Sequence, residues 1–220
     1  MFRKFLLSAA LIAAGSAATA GPINYSEGFE DITSLAGAGW VFSDNSTPGG
    51  ENPGWFQGNS GIFAAESGSA DSYIAANFLG APIGGSINNW LITPVFSVVE
   101  GSVVSFSTRT ADLDFGDNLE VLFSYGSSNL ADFTSLGTIL SSDYPIDWTT
   151  VGFSSSGYGD LRLAFRYFVP DTTSVGDYIG IDSFSVKGDV ANVPEPGTIA
   201  LFGVALFMMV AATRRRREQI

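Results

Sequence analysis

The chain contains no cysteine and no histidine among its 220 residues. Without cysteine it can form no disulfide bond, offer no thiol nucleophile and carry no lipid on an N-terminal cysteine. Without histidine a Ser-His-Asp triad is excluded, and the lack of both residue types removes the usual zinc ligands. Stability must therefore come from the hydrophobic core, and a bound metal would need oxygen ligands.

Positive charge is also scarce, above all in the middle of the chain. Of the 10 basic and 22 acidic residues, residues 21–192 keep four basic and 20 acidic ones, which is a formal net charge of −16. The four basic residues are Arg109, Arg162, Arg166 and Lys187. This charge strongly disfavours nucleic-acid binding. It fits either solubility and mutual repulsion outside a cell, or calcium binding by some of the carboxylates.

Residues 21–192 show no 15-residue stretch with helical periodicity and instead contain short alternating runs. In the run 160–169 the large apolar residues share one face: Leu161, Leu163, Phe165 and Tyr167. The same alternation places four residues of the run 118–125 on one face: Leu119, Val121, Phe123 and Tyr125. Further predicted strands are 72–78, 89–92, 103–109, 133–139, 148–153 and 178–186. Many half-buried strands without helices predict an all-β fold, an antiparallel β-sandwich of jelly-roll type.

The N-terminus has the three parts of a secretory signal peptide. Arg3 and Lys4 are followed by a short apolar stretch at 5–14 and by the small-residue site Ala18-Thr19-Ala20. This pattern predicts a signal peptide over 1–20, cleaved between Ala20 and Gly21. The alternative is an uncleaved N-terminal anchor, although ten apolar residues are too few for a stable membrane span.

The C-terminus combines a polar motif, an apolar run and a basic cluster. The motif is Val193, Pro194, Glu195 and Pro196, and the basic cluster is Arg214, Arg215, Arg216 and Arg217. The 17 residues between them, 197–213, carry no charge and would extend about 25 Å as a helix, close to the thickness of a bilayer core. The arginines should remain cytoplasmic, which places the domain on the far side of the membrane. A buried core helix is the alternative.

This order of parts resembles the PEP-CTERM sorting signal of Gram-negative bacteria. The resemblance implies a sorting signal over 193–217, a single transmembrane helix, and an exosortase as the partner that cleaves near Pro-Glu-Pro. It also implies release or attachment at the cell surface, often together with exopolysaccharide and biofilm production.

Three segments of the central region resemble choice-of-anchor domains of the J type, relatives of the cleaved-adhesin and MAM-like domains. The first is Glu27-Gly28-Phe29-Glu30, followed by Gly39-Trp40. The second is Tyr73-Ile74-Ala75-Ala76-Asn77-Phe78, followed by Asn89-Trp90-Leu91-Ile92-Thr93-Pro94. The third is the stretch from Tyr178 through Asp182 to Val186. The resemblance implies one extracellular domain over 21–187, joined to the sorting signal by a linker at 188–192. It also implies that the first and last strands are neighbours.

One buried carboxylate is predicted in the last strand. If Phe184 and Val186 face the core, a period of two places Asp182 on the same inward face, and a buried carboxylate needs a partner or a cation. Glu27 and Glu30 are expected in the first strand, which the resemblance places close to Asp182. Because cleaved-adhesin relatives commonly hold structural calcium, the resemblance implies Ca²⁺ ligands Glu30 and Asp182, with Glu27 nearby. The alternative is that Asp182 accepts hydrogen bonds from backbone N–H groups and a hydroxyl.

Two further groups are candidate sites. The acidic residues Asp112, Asp114, Asp117 and Glu120 form either a solvated loop or a calcium loop, and they lack EF-hand spacing. Trp55 and Phe56, in a long glycine-rich loop at 43–61, are expected to contact a ligand at the surface, although tryptophans in sandwiches more often pack in the core.

The sequence therefore favours an exported, non-enzymatic surface or matrix protein that binds a glycan or exopolysaccharide. One alternative is a secreted glycan hydrolase with paired carboxylates, which would face each other about 5–10 Å apart. Another is a purely structural matrix component without a discrete ligand.

Overall fold

The computed structural model describes residues 22–51, 54–113, 115–157, 159–173 and 176–188. The predicted signal peptide, the sorting signal and most of the linker lie outside these residues. The described part is all-β, with no helix longer than a single 3₁₀ turn. Its strands are β1 (Ile23–Glu27), β2 (Val41–Asp44), β3 (Phe56–Gln57), β4 (Ile74–Asn77), β5 (Ile87–Ile92), β6 (Phe96–Val98), β7 (Val103–Thr110), β8 (Asn118–Tyr125), β9 (Thr134–Ile139), β10 (Thr149–Ser154), β11 (Gly159–Val169) and β12 (Tyr178–Gly188). Four 3₁₀ turns connect them, at Ile32–Ser34, Phe78–Gly80, Leu130–Asp132 and Ser141–Asp143.

The strands form two six-stranded antiparallel sheets. In the first sheet the order is β10-β7-β12-β4-β3, and β1 also pairs with β12. In the second the order is β2-β5-β11-β8-β9, and β6 also pairs with β11. The predicted antiparallel sandwich is confirmed, and so is the implied contact between the first and last strands.

The core lies between the sheets, where the alternating apolar faces meet. The predicted inward residues of β11 are all buried, and Phe165 packs on Phe106 of the facing sheet with ring centroids 4.8 Å apart. Phe184 on β12 contacts Trp40 edge-on at 5.4 Å, and the Trp40 indole N–H donates to the Tyr25 hydroxyl at 3.1 Å. Aromatic pairs of this kind each add about 0.5–1.5 kcal/mol beyond the burial of their area.

Three local expectations need correction. Tyr125 was expected to face inward but is 62% exposed, because β8 reaches the rim of the sandwich there. Glu30 lies after the end of β1 rather than within the first strand. The 43–61 loop is partly ordered by pairing, since β2 ends at Asp44 and Thr47 forms a bridge with Ser86.

Within the described residues, no helix has the length and apolar character that a membrane crossing requires. The membrane helix predicted over 197–213 lies outside the described part of the chain.

Candidate functional site

The best-defined polar site lies where the end of β1 meets an irregularity in β12. Glu27, the last residue of β1, is paired with Phe184, and the register between β12 and β7 shifts between Asp182 and Ser185. Phe29 and Ser183 have positive φ angles of 54° and 52°, and they are the non-glycine residues that do so in the described part of the chain. Strained backbone of this kind often accompanies a functional site, and here both residues flank one groove.

Asp182 is fully buried beside this groove, as the strand periodicity predicted. Its Oδ2 accepts hydrogen bonds from the backbone N–H groups of Glu66 at 2.9 Å and Ser67 at 3.1 Å, and its Oδ1 accepts one from Ser183 at 2.5 Å. Burial raises the pKa of Asp182, and the three N–H donors oppose that shift only in part. The backbone alternative for Asp182 is therefore present, and among the described residues no hydroxyl donates to its carboxylate.

Glu30 approaches the same turn from the other side. A Cβ atom added to Gly28 would lie 2.6 Å from Glu30 Oε1, and one added to Gly68 would lie 3.8 Å from it. The Glu30 carboxylate therefore lies close to the backbone of both glycines. The fold therefore brings Glu30 and Asp182 to one turn, residues 66–68. This turn could not be predicted from the sequence, because Ser67 lies 115 residues from Asp182 and no motif spacing connects them.

Glu27 is tied to its own strand end. Its Oε1 accepts the Phe29 N–H at 2.9 Å, and the Tyr25 hydroxyl donates to its Oε2 at 3.4 Å. The groove beside these residues has a volume of about 350 Å³, and Glu27, Glu30, Ser67 and Lys187 are among its lining residues. Glu27 shapes the groove while its carboxylate stabilises the turn after β1.

Calcium binding beside this groove stays a prediction, because the groove is lined by Lys187 as well as by the carboxylates of Glu27 and Glu30. No group of three or more Asp, Glu, His or Cys side chains in the described part of the chain lies close enough together to hold a metal ion. Calcium takes six to eight oxygen ligands, which include backbone carbonyls and water. Glu30 and Asp182 would supply the charge, and Asp182 retains acceptor capacity because an ionised carboxylate has about four lone-pair sites.

The acidic loop between β7 and β8 does not behave as one site. Asp117 is only 1% exposed, accepts the Tyr167 hydroxyl at 2.6 Å, and accepts the Asp177 N–H at 3.0 Å. Burial raises its pKa despite these bonds. Glu120 instead forms a 2.9 Å salt bridge with Arg166. Asp114 lies outside the described residues, and the interpretation of a fully solvated loop is wrong for Asp117.

Trp55 lacks the exposed ring that was expected of it. It is 6% exposed and packs edge-on against Tyr167, while the adjacent Phe56 is half-buried against Tyr178. The reason is the position of Trp55 just before β3, where the chain enters the sandwich. Ligand contact by this pair stays a prediction, and only Phe56 presents part of a ring to the outside.

Comparison with protein families identifies one segment of the chain. Residues 192–217 match the family described as the PEP-CTERM protein-sorting motif. The chain therefore carries this sorting motif, and the predicted signal agrees with it to within one residue at its start. A comparison with curated proteins finds no match.

Solved structures resemble the sandwich. The K1 cleaved adhesin domain of Lys-gingipain from Porphyromonas gingivalis W83 is 22% identical, with a TM-score of 0.59, over 76% of this chain and 99% of that domain. The K3 cleaved adhesin domain of the same protein is 17% identical, with a TM-score of 0.57 and the same coverage. At these identities the likeness establishes the fold alone, and it confirms the sequence-based prediction of a cleaved-adhesin-like sandwich.

Proposed function

We propose that this chain is an exported, non-enzymatic surface or matrix protein whose adhesin-like sandwich is delivered by an exosortase. The observation that carries the proposal is the PEP-CTERM motif at 192–217, only four residues after β12 ends at Gly188. The same chain carries a sandwich of the cleaved-adhesin fold. A sorting signal has a use only if the domain before it works outside the inner membrane.

The export route is tested by mass spectrometry of the mature protein from a host that contains an exosortase. We expect an N-terminus at Gly21 and a C-terminus near Pro194–Pro196, without the four arginines. A mature form that still contains Arg214–Arg217 would contradict exosortase processing. A form that still begins at Met1 would contradict signal cleavage and leave the C-terminal assignment standing.

We further propose that the sandwich binds surface glycans or exopolysaccharide without cleaving them. The strongly negative domain favours a neutral or cationic partner over a nucleic acid or an anionic polymer. The buried position of Asp117 supports a binding role, because substrate cannot reach this carboxylate. A glycan array in the presence and absence of calcium tests the binding. Retention of intact glycans supports the proposal, shortened products support the hydrolase, and no binding supports a purely structural matrix component.

The groove at the end of β1 supports a structural cation as part of this proposal. Two carboxylates, Glu30 and Asp182, lie against a glycine-containing turn whose carbonyl groups could complete an oxygen shell. Calcium there would link β1, the 66–68 turn and β12.

A further inference from the structure

One side of the sandwich leaves two strand edges open. β10 is the last strand of the first sheet and pairs only with β7, while β9 is the last strand of the second and pairs only with β8. Within the described residues, no backbone hydrogen bond reaches the outer side of either strand. Each strand is six residues long, so each presents a row of unpaired N–H and C=O groups that can bind another strand.

β10 carries none of the features by which natural proteins usually block such pairing, and β9 carries one of them, a bulge at Leu136 where its register with β8 shifts between Val121 and Leu122. The sequences are Thr-Ser-Leu-Gly-Thr-Ile in β9 and Thr-Thr-Val-Gly-Phe-Ser in β10, with no charged residue and no proline. On the opposite side of the sandwich, β3 has only two residues and β2 ends in Asp44. Short strands and edge charges are common protections against edge-to-edge association. The side of β2 and β3 has both of these protections, and the side of β9 and β10 has neither.

An apolar groove of about 330 Å³ lies between these two edges, which are called here the lips. Leu136 and Ile139 line it from β9, and Val151 and Phe153 line it from β10. Leu136 is 47% exposed, and the other three are half-buried against the core. A smaller cavity of about 80 Å³ continues the groove towards Tyr125. The core is therefore incompletely covered along this side.

The arrangement of the two lips indicates which partner can pair with both of them at once. A single extended peptide can pair with one lip only, because the lips belong to different sheets. A second copy of this chain, rotated by 180° about an axis normal to the sheets, presents both of its own lips at the same spacing. That rotation reverses strand direction, so it makes β9 antiparallel to its counterpart and β10 antiparallel to its counterpart in one step.

We propose that two copies of this protein associate edge to edge through β9 and β10, which makes both sheets continuous and closes the apolar groove between them. Gly137 and Gly152 lie near the middle of the two lips, where the axis would pass, and both line the groove. Nothing lies within 4 Å of a Cβ added to Gly137, so the two backbones can approach closely there.

The charge of the domain predicts how dimerisation depends on the salt concentration. The lips bury no charge, while each domain carries a formal net charge of −16 over residues 21–192. Repulsion between the domains is long-range and is screened by salt. We therefore expect dimerisation to become stronger as the salt concentration rises, whereas an interface built on ion pairs would become weaker.

Cysteine cross-linking tests the geometry directly, because the natural chain contains no thiol. Directly opposed residues of an antiparallel pair have Cα atoms about 4.5–5.5 Å apart, within the range that a disulfide spans. The full chain would be expressed as Gly152→Cys or Val151→Cys, kept in its host membrane, oxidised, and examined by non-reducing electrophoresis. Leu113→Cys, an exposed position on the β7–β8 loop, is the matched control.

We expect disulfide-linked dimers from at least one of the two lip variants, in several-fold excess over the Leu113→Cys control. Adding Leu136→Lys places like charges at the interface and should reduce the yield several-fold, whereas adding Ile83→Lys on a distant exposed loop should not. Protease resistance of each variant establishes that the sandwich is folded. Folded lip variants that cross-link no more than Leu113→Cys would overturn the proposal, as would an equal effect of the two lysines.

Discussion

The three hydrogen bonds of Asp182 give a quantitative prediction for the site at the end of β1. In Asp182→Ala, the N–H groups of Glu66, Ser67 and Ser183 lose their acceptor. A buried donor left without a partner costs about 1–3 kcal/mol. Glu66 and Ser67 are exposed residues, so water can replace part of the loss at their N–H groups. The expected decrease in the free energy of unfolding is therefore about 2–4 kcal/mol.

Asp182→Asn should cost less than the alanine variant. Its amide oxygen can keep the bonds from Glu66 and Ser67, while its amide nitrogen faces the Ser183 N–H and loses that bond. The desolvation that raises the pKa of Asp182 disappears with the charge and offsets part of the loss. We expect a net cost of about 1–2 kcal/mol. Glu100→Gln removes an exposed negative charge and should change the stability by less than about 0.5 kcal/mol.

Urea denaturation followed by tryptophan fluorescence measures these differences, first with EDTA and then with excess calcium. If Glu30 and Asp182 ligate calcium, saturation at about 100 times the dissociation constant adds about 2.7 kcal/mol to the natural protein. That gain should be lost in Asp182→Asn and retained in Glu100→Gln. Equal stability of Asp182→Ala and Glu100→Gln in EDTA would refute the hydrogen-bond reasoning. A calcium gain that survives in Asp182→Asn would refute the ligand assignment.

Three further predictions concern the sandwich itself. Burial raises the pKa of Asp117, so the fold binds a proton at this carboxyl more tightly than the unfolded chain does. The natural protein should therefore gain stability on acidification from about pH 7 to about pH 5. In EDTA we expect Asp117→Asn to weaken that gain, measured by urea denaturation. Trp40→Phe removes the indole donor to Tyr25 and should cost about 1 kcal/mol, measured by thermal melting. Gly180→Ala should cost about 1–3 kcal/mol, because the added Cβ would meet three aromatic rings at 2.9–3.0 Å, whereas Gly49→Ala meets nothing within 4 Å and should leave the melting temperature nearly unchanged.

The pH prediction follows from the direction of the pKa shift. A carboxyl whose pKa is higher in the fold than in the unfolded chain binds more protons when folded. Stability therefore decreases as the pH rises through the interval that begins near 3.8, the ordinary pKa of an aspartate. Burial also raises the pKa of Asp177 and Asp182, which adds to the effect in the same direction. A natural protein whose stability falls steadily as the pH is lowered from about pH 7 to about pH 5 would contradict this account.

Strand positions could be predicted where one face of a strand is buried and the other is not. β8 and β11 show this alternation, and their bounds agree with the predicted ones to within one residue. β2, β3 and β6 were not predicted, because their two to four residues are too few to show an alternation of apolar and polar side chains. Tyr125 follows the period of β8 and is nevertheless exposed, since periodicity cannot tell where the facing sheet ends.

The candidate site could likewise be predicted from the sequence only in part. Period-two alternation was sufficient to place Asp182 in the interior, because the faces of a strand are fixed by its backbone geometry. Its partners could not be predicted, since two of them are backbone N–H groups of a distant turn. The burial of Trp55 could not be predicted either, because a loop sequence does not show whether its side chains point into the sandwich.

By itself, the sequence determined the chemistry that is excluded, the all-β class and the sorting motif at 192–217, because composition and short contiguous motifs carry that information. Only the tertiary structure decided that Glu30 and Asp182 meet at the 66–68 turn and that β9 and β10 leave one side of the sandwich open. Both features depend on contacts between segments that are distant along the chain. Such contacts are set by how the two sheets pack, and no local pattern encodes them.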